Sequence, residues 1–302
     1  MILLRDSIFI GCLFIGLTNC TNKKIVNEEI ATPVHEFKEY SHPDTKELNV
    51  VHRDTNALSG TQIISIITNL AVDKREDFVY NEVKKGNIPD FLRNMVRVST
   101  RRSINGTYRY ISYYALPDYL AVGSDDDYFL CPMTPGLGQK LADELDCILP
   151  TRKIVDQIWK AAKVKMEPRP IPPSNKMTTV PIFNQHNSDV WIQRQTFIGT
   201  DSLGTLVSGN KKDVIISNLI YRSQESGQVV IYGWHYPSGK NIQPIYAGHD
   251  ENYVDYSHGI RLIHGKVYVD DVEMQASEVL RSEKFMSLLS DEGLIIKPYY
   301  PN

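Results

Sequence analysis

The stretch MVRVSTRRSINGTYRYISYYAL (Met95–Leu116) places Asn105-Gly106 between two runs rich in Val, Ile, Thr and Tyr. Such a pair predicts a β-hairpin, because a tight two-residue turn needs positive φ at both central positions, and Asn and Gly tolerate that best. Folded structure is expected to begin just upstream, near Gly60, with TQIISIITNLAV, followed by a polar helix over Lys74–Lys85. Downstream, TPGLGQKLADELDC reads as a helix with Thr134 as its N-cap and Pro135 at its first position. LPTRKIVDQIWKAAK reads as a second, capped by Thr151. Leu137, Leu141 and Leu145 share one face of the first, and Ile154, Val155, Ile158 and Trp159 one face of the second. These stripes are core-facing patterns.

The four prolines of MEPRPIPPSNK (Met166–Lys176) then interrupt the pattern and mark a possible internal boundary. FNQHNSDVWIQRQTF reads as helical. After it come short runs, GTLVSG, KDVIISNLIY, QVVIYGWHY, NIQPIYAG and KVYVDD, punctuated by Gly, Asn and Pro. A helical pair is expected around Glu273–Leu289. The resulting expectation is an α+β fold with a helical N-terminal half and a mainly antiparallel C-terminal sheet with terminal helices. Residues 60–302 would form a single globular domain.

The amino end carries a different message. MILLRDSIFIGCLFIGLTNCTNKK holds one early Arg and a short apolar run, Ser7–Leu17, too short for a permanent span. Leu17-Thr18-Asn19-Cys20 resembles a bacterial lipobox, in which the Cys is lipid-modified. Asn19 departs from the usual small residue. The resemblance implies a signal peptide over 1–20, lipidation at Cys20, a flexible tether over 21–59, and a place in the bacterial cell envelope, in the periplasm or at the cell surface. The partner it implies is a membrane, held through the lipid anchor. In that setting Asn105-Gly106-Thr107 is read as a turn rather than a glycosylation site. The net charge of −3 gives no general attraction to nucleic acid. Cys131 and Cys147 remain after Cys12 and Cys20, either as a disulfide or as two thiols.

The residues with chemical potential concentrate in HDENYVDYSHGIRLIHG (His249–Gly265) and just upstream in GWH, which ends at His235. Read as one strand, Tyr253–Ile263 would put Val254, Tyr256, His258, Ile260 and Leu262 on one face. Tyr253, Asp255, Ser257, Gly259 and Arg261 would take the other. A continuous strand then makes His258 a buried core histidine. A break at Ser257-His258-Gly259 would make it a site residue. A zinc site would draw on His235, His249 and His258, with Asp255, although no pair has a strong ligand spacing. A thiol site would pair Cys131 with His258, in the order found in papain-like cell-wall peptidases, but LeuCysProMet does not match that family's local motif.

Ser257-His258-Gly259-Ile260-Arg261-Leu262 resembles the SHGCIRL string of L,D-transpeptidases, which crosslink peptidoglycan. The nucleophilic Cys of that string is absent here, so the resemblance does not carry the family's acyl-enzyme chemistry. The span from Gly204 to Leu262 also resembles a family of uncharacterised secreted bacterial proteins, through Lys211-Lys212-Asp213, Gly233-Trp234-His235 and Asp255–Leu262. That resemblance implies no activity.

The leading expectation is a hydrolase of the cell envelope acting on a peptide or peptidoglycan-type substrate. His258 and His249 would serve in catalysis, Asp255 would orient a histidine, Arg261 would hold a substrate carboxylate, and Trp234 and Tyr253 would wall the cleft. The alternative is a non-enzymatic lipoprotein that binds sugar or peptide on its Tyr- and Trp-bearing sheet.

Overall fold

A computed structural model describes residues 42–222 and 227–301. The expected signal peptide, the lipidation site Cys20 and most of the tether lie outside the described residues. The described residues belong to one compact unit.

The described chain opens with β1 (Thr45–Glu47), paired antiparallel with β2 (Asn94–Ile104). Leu48 is buried, and the Arg53 guanidinium donates to Asn87 Oδ1 and to the carbonyls of Gly123 and Ala57. Residues 42–58, which their polar composition assigns to a tether, are therefore packed onto the domain. Helix α1 (Gly60–Ile67) starts at a capping box made by Ser59 and Gln62. Helix α2 (Val72–Lys84) follows.

Strand β2 then pairs with β3 (Thr107–Ala115) over nine residues, from Val96 opposite Ala115 to Ile104 opposite Thr107. Asn105 and Gly106 turn the hairpin with φ of 49° and 77°, the left-handed pair that the Asn-Gly signal predicts. A small ribbon, β4 (Val122–Gly123) with β5 (Tyr128–Phe129), leads to α3 (Pro135–Glu144). The short β6 (Cys147–Ile148) precedes α4 (Arg152–Ala161). Both helices have the predicted caps: Thr134 Oγ1 accepts from Leu137 N, and Thr151 Oγ1 from Ile154 N. Strand β7 (Val164–Lys165) runs parallel to β8 (Val207–Ser208), and α5 (Val180–Ile198) lies between them in the chain. The Pro-rich stretch after β7 is thus bracketed by a strand pair.

The last part of the chain supplies β9 (Lys212–Val214), β10 (Gln228–His235), β11 (Asn241–Asp250), β12 (His258–Gly259), β13 (Ile263–His264), β14 (Lys266–Val269), β15 (Val272–Gln275) and α6 (Ala276–Arg281). Two sheets organise these strands. The larger has the path β1-β2-β3-β13-β6, with β14 beside β3 and β15 beside β14. The smaller runs β11-β10-β9-β12, with β12 parallel to β9.

The expectation of a helical N-terminal half is overturned. Most strands do lie in the C-terminal half, yet the N-terminal half contributes the long β2–β3 ladder, and the longest described helix, α5, is in the second half. The physical reason is pairing at a distance. The hairpin buries its inner residues, Ile111, Tyr113 and Ala115, by accepting β13 and β14 from the far end of the chain as neighbours. Local periodicity identifies an amphipathic helix, but it carries no record of which remote strand completes a sheet.

Candidate functional site

Strand β9 divides the chemistry. Its residues alternate between two faces of the smaller sheet. On one side it meets β10, with Asp213 opposite Tyr232 and Lys212 opposite Gly233. On the other it meets β12, with Lys212 level with His258 and Asp213 level with Gly259. Lys212 and His258 therefore share one face, and Asp213 points to the other.

On the His258 face, a turn replaces the continuous strand. The Asp255 carboxylate accepts from the backbone N–H of Ser257 at 2.7 Å and from the Ser257 hydroxyl, and His258 N donates to the Asp255 carbonyl at 3.1 Å. An Asp that binds the backbone two residues on builds its own turn. That turn undoes the strand phase, which would have set Asp255 and His258 on opposite faces. It brings Asp255 Oδ2 to 3.9 Å from His258 Nε2, and the same oxygen lies 3.7 Å from Lys212 Nζ.

Strand β10 contributes through a distortion. Its register against β11 shifts between Ile231 and Gly233, and Gly233 and Trp234 have φ of 100° and 55°. A left-handed conformation costs a bulky aromatic residue about 1–2 kcal/mol. The bulge directs Trp234 beneath Lys212, whose ammonium lies 5.4 Å from the indole, and towards His186 of α5, 5.9 Å between ring centres. Tyr256 closes the group, 4.9 Å from His186 and 6.2 Å from Trp234. Toward the surface, Tyr253 packs edge-on against His258 and stacks at 3.9 Å on the half-buried His249, which in turn meets the exposed Tyr246.

His186 and His258 are both fully buried. All four of their ring nitrogens, and Trp234 Nε1, make no hydrogen bond among the described residues. A buried polar atom left unpaired costs about 1–3 kcal/mol, so five within one group of side chains is a distinctive arrangement. Burial pulls the His258 pKa down to about 4, opposed by Asp255 and aided by Lys212. Burial also pulls His186 well down, with Lys211 adding to the effect, and lowers His249. Burial pushes the Asp255 carboxyl up, but His258, Lys212 and the hydrogen bonds from Ser257 outweigh it and hold it below the ordinary range. Lys211 is buried, donates to the Tyr256 carbonyl at 2.7 Å, and is brought down by burial to about 8. The group thus combines two neutral imidazoles, one carboxylate and two lysines in a dry setting.

Of the residues singled out by sequence, His258, His249, Asp255, Trp234 and Tyr253 come together. His235 and Arg261 do not. His235 Nε2 lies 3.2 Å from Asp156 Oδ1, and its ring stacks on Trp159. The trio His235, His249 and His258 does not assemble a metal centre, and no three His, Cys, Asp or Glu side chains among the described residues have the geometry to hold an ion.

Arg261 belongs to the Asp213 face. Its two terminal nitrogens donate to the carbonyls of Leu116 and Val207, each at 2.9 Å, and its guanidinium stacks 4.2 Å above Tyr119. Its Nε is 4.0 Å from Asp213 Oδ1. Tyr119 Oη donates to Asp213 Oδ2 at 2.8 Å and to the Lys211 carbonyl at 3.1 Å. Burial pushes Asp213 up to about 6. With its fork occupied by main-chain carbonyls, Arg261 is a structural residue and not a carboxylate clamp.

Cys131 and Cys147 are free, buried thiols. Burial pushes Cys131 up to about 12, which removes the thiolate that a Cys131–His258 pair would require.

Lys211, Lys212 and Tyr256 join the group without being among the site residues expected from the sequence. The signal in the sequence is the pair of lysines that opens the buried run Asp213–Ile216. Comparisons with protein-family models, with curated proteins and with solved structures returned no match to this chain. No described helix is long and apolar enough to cross a membrane.

Proposed function

We propose that the chain is a cell-envelope lipoprotein that hydrolyses a peptide or peptidoglycan-type substrate at the His258 face of β9. The observation that carries this reading is the pair of buried, unpaired imidazoles, His258 and His186, set against Asp255, Lys211 and Lys212. Burial weakens His258 as a base, and the carboxylate beside one of its nitrogens offsets part of that loss, so that the neutral imidazole can take a proton from water. Asp255 faces Nε2 of His258, which leaves Nδ1 to accept that proton, and the Asp255 charge then stabilises the imidazolium. The activated water adds to the amide carbonyl, the C–N bond breaks, and the leaving amine takes a proton from Lys211, whose lowered pKa suits it to give one. Lys212 replaces Arg261 as the group that attracts a substrate carboxylate. Tyr253, lying between His249 and His258, is the side chain that has to move for a substrate to enter.

The full chain incubated with purified peptidoglycan fragments and peptides is expected to yield new termini, read by mass spectrometry. His258→Gln is expected to remove that activity while leaving the circular dichroism spectrum unchanged. Binding of the same fragments with no product from the wild type would overturn the enzymatic reading in favour of a sugar- or peptide-binding lipoprotein. Anchoring has its own test: a lipid label on the wild type that is lost in Cys20→Ser.

A further inference from the structure

A cavity of about 490 Å³ lies between β2 and α4, apart from the His258 face. Helix α4 presents Lys153, Asp156, Gln157 and Lys160 to it, the i, i+3, i+4, i+7 spacing of one helix face, while Ile154, Val155 and Ile158 go to the core. Strand β2 adds Arg101 and Arg102, and the chain near the carboxyl end adds Asp291.

The charges here are unequally paired. Asp291 is gripped by two nitrogens of Arg152, at 2.7 and 3.2 Å. Asp156 accepts from Tyr232 Oη at 2.9 Å and faces His235. Arg102, Lys153 and Lys160 make no ion pair among the described residues, although the Lys153 amine donates to the Ser287 carbonyl. Burial pulls Lys153 down to about 8, Arg102 and Lys160 lower it further by their like charge, and Asp291 opposes them. Four cations, Arg101, Arg102, Lys153 and Lys160, thus line one space against two acids, Asp156 and Asp291, each of which is held by a partner outside the cavity.

We propose that this cavity binds a phosphate-bearing ligand, with Arg102, Lys153 and Lys160 as its cationic clamp. Several cations converging on one space suit a group that carries up to two negative charges on three terminal oxygens, and the Arg fork matches phosphate geometry. A phosphate monoester and an anionic lipid headgroup share this chemistry.

The test uses the full chain. Inorganic phosphate and glycerol phosphate, titrated by calorimetry and by NMR of the lysine side chains, are expected to bind saturably and to shift Lys153. Acetate is expected to bind at least tenfold more weakly. The double variant Arg102→Gln/Lys160→Gln changes two exposed residues and is expected to weaken phosphate binding at least tenfold, whereas Lys74→Gln, a charge change on α2, leaves it unaltered. Retention on phosphatidylglycerol vesicles in excess of phosphatidylcholine vesicles, lost in the double variant, would assign the headgroup as the source. Phosphate binding without that excess would assign a soluble phosphoester. No saturable phosphate binding, equal affinity for acetate, or an unchanged affinity in the double variant would overturn the proposal.

Discussion

Two groups of buried polar side chains sit on opposite faces of β9, and they differ in how fully their atoms are paired. On the Asp213 face, Tyr119, Asp213 and Arg261 engage one another and the carbonyls of Leu116, Val207 and Lys211. On the Lys212 face, Lys211 and Asp255 are bonded, but four imidazole nitrogens and the Trp234 indole make no hydrogen bond among the described residues. Both groups are dry and both contain charge, so burial alone does not separate them. Pairing does. A saturated network locks its neighbours together, and the Asp213 group ties β9 to the segments around Leu116 and Val207. An unsaturated one keeps hydrogen-bonding capacity for something else, and it is here that the backbone strain of Trp234 is concentrated.

The sharpest way to break this contrast is to remove one member from each side. Arg261→Met should unfold or severely destabilise the chain, by about 3–5 kcal/mol, because it removes the cation beside buried Asp213 and takes the guanidinium donor away from the carbonyls of Leu116 and Val207. Urea denaturation checks this, and a loss under 1 kcal/mol would show that the Asp213 group is not a structural lock. His258→Gln should do the opposite. Its nitrogens make no hydrogen bond among the described residues, so stability should hold, while the proposed turnover falls roughly 10²–10⁴-fold. A variant that fails to fold would instead make His258 a core residue. Gly259→Ala comes next in size. An added Cβ would lie 2.4 Å from the Tyr119 ring, which Arg261 clamps from its other contacts. A cost of about 1–3 kcal/mol is expected, read as a lowered Tm.

The sequence disclosed those parts of this picture that local chemistry encodes. The Asn105-Gly106 turn, the Thr134 and Thr151 caps and the leucine stripe of α3 each follow from a few adjacent residues. It did not disclose that β12 runs parallel to β9, because that is a pairing between distant segments. Of the two readings of Tyr253–Ile263, the continuous strand is excluded for a local reason. Asp255-Tyr256-Ser257 is an Asp-x-Ser turn, and weighing that competing signal would have brought Asp255 to His258. Arg261 misled because its residue type suits a substrate clamp, while its burial and partners are set by Tyr119, Leu116 and Val207, none of them near it in sequence.

The smallest predicted effect separates the two faces by sign. His258 falls from an ordinary 6.5 to about 4 in the folded chain. Between those values the unfolded chain binds a proton that the folded chain refuses, so stability is lost as pH falls through that window. His186, also pulled down by burial, adds to the same trend. Asp213 is displaced the other way, from 3.8 to about 6. Between those values the folded chain holds the proton, so stability is lost as pH rises. In the wild type the opposing slopes overlap between about pH 4 and 6 and partly cancel, each amounting to at most about 1.4 kcal/mol per pH unit. Asp213→Asn removes the falling slope and should make stability climb more steeply with pH. His258→Gln removes part of the rising slope and should flatten or invert the climb. Urea midpoints for the three proteins across this range test the point directly. If both variants shift the slope in the same direction, the two faces of β9 do not differ in the way their pairing implies.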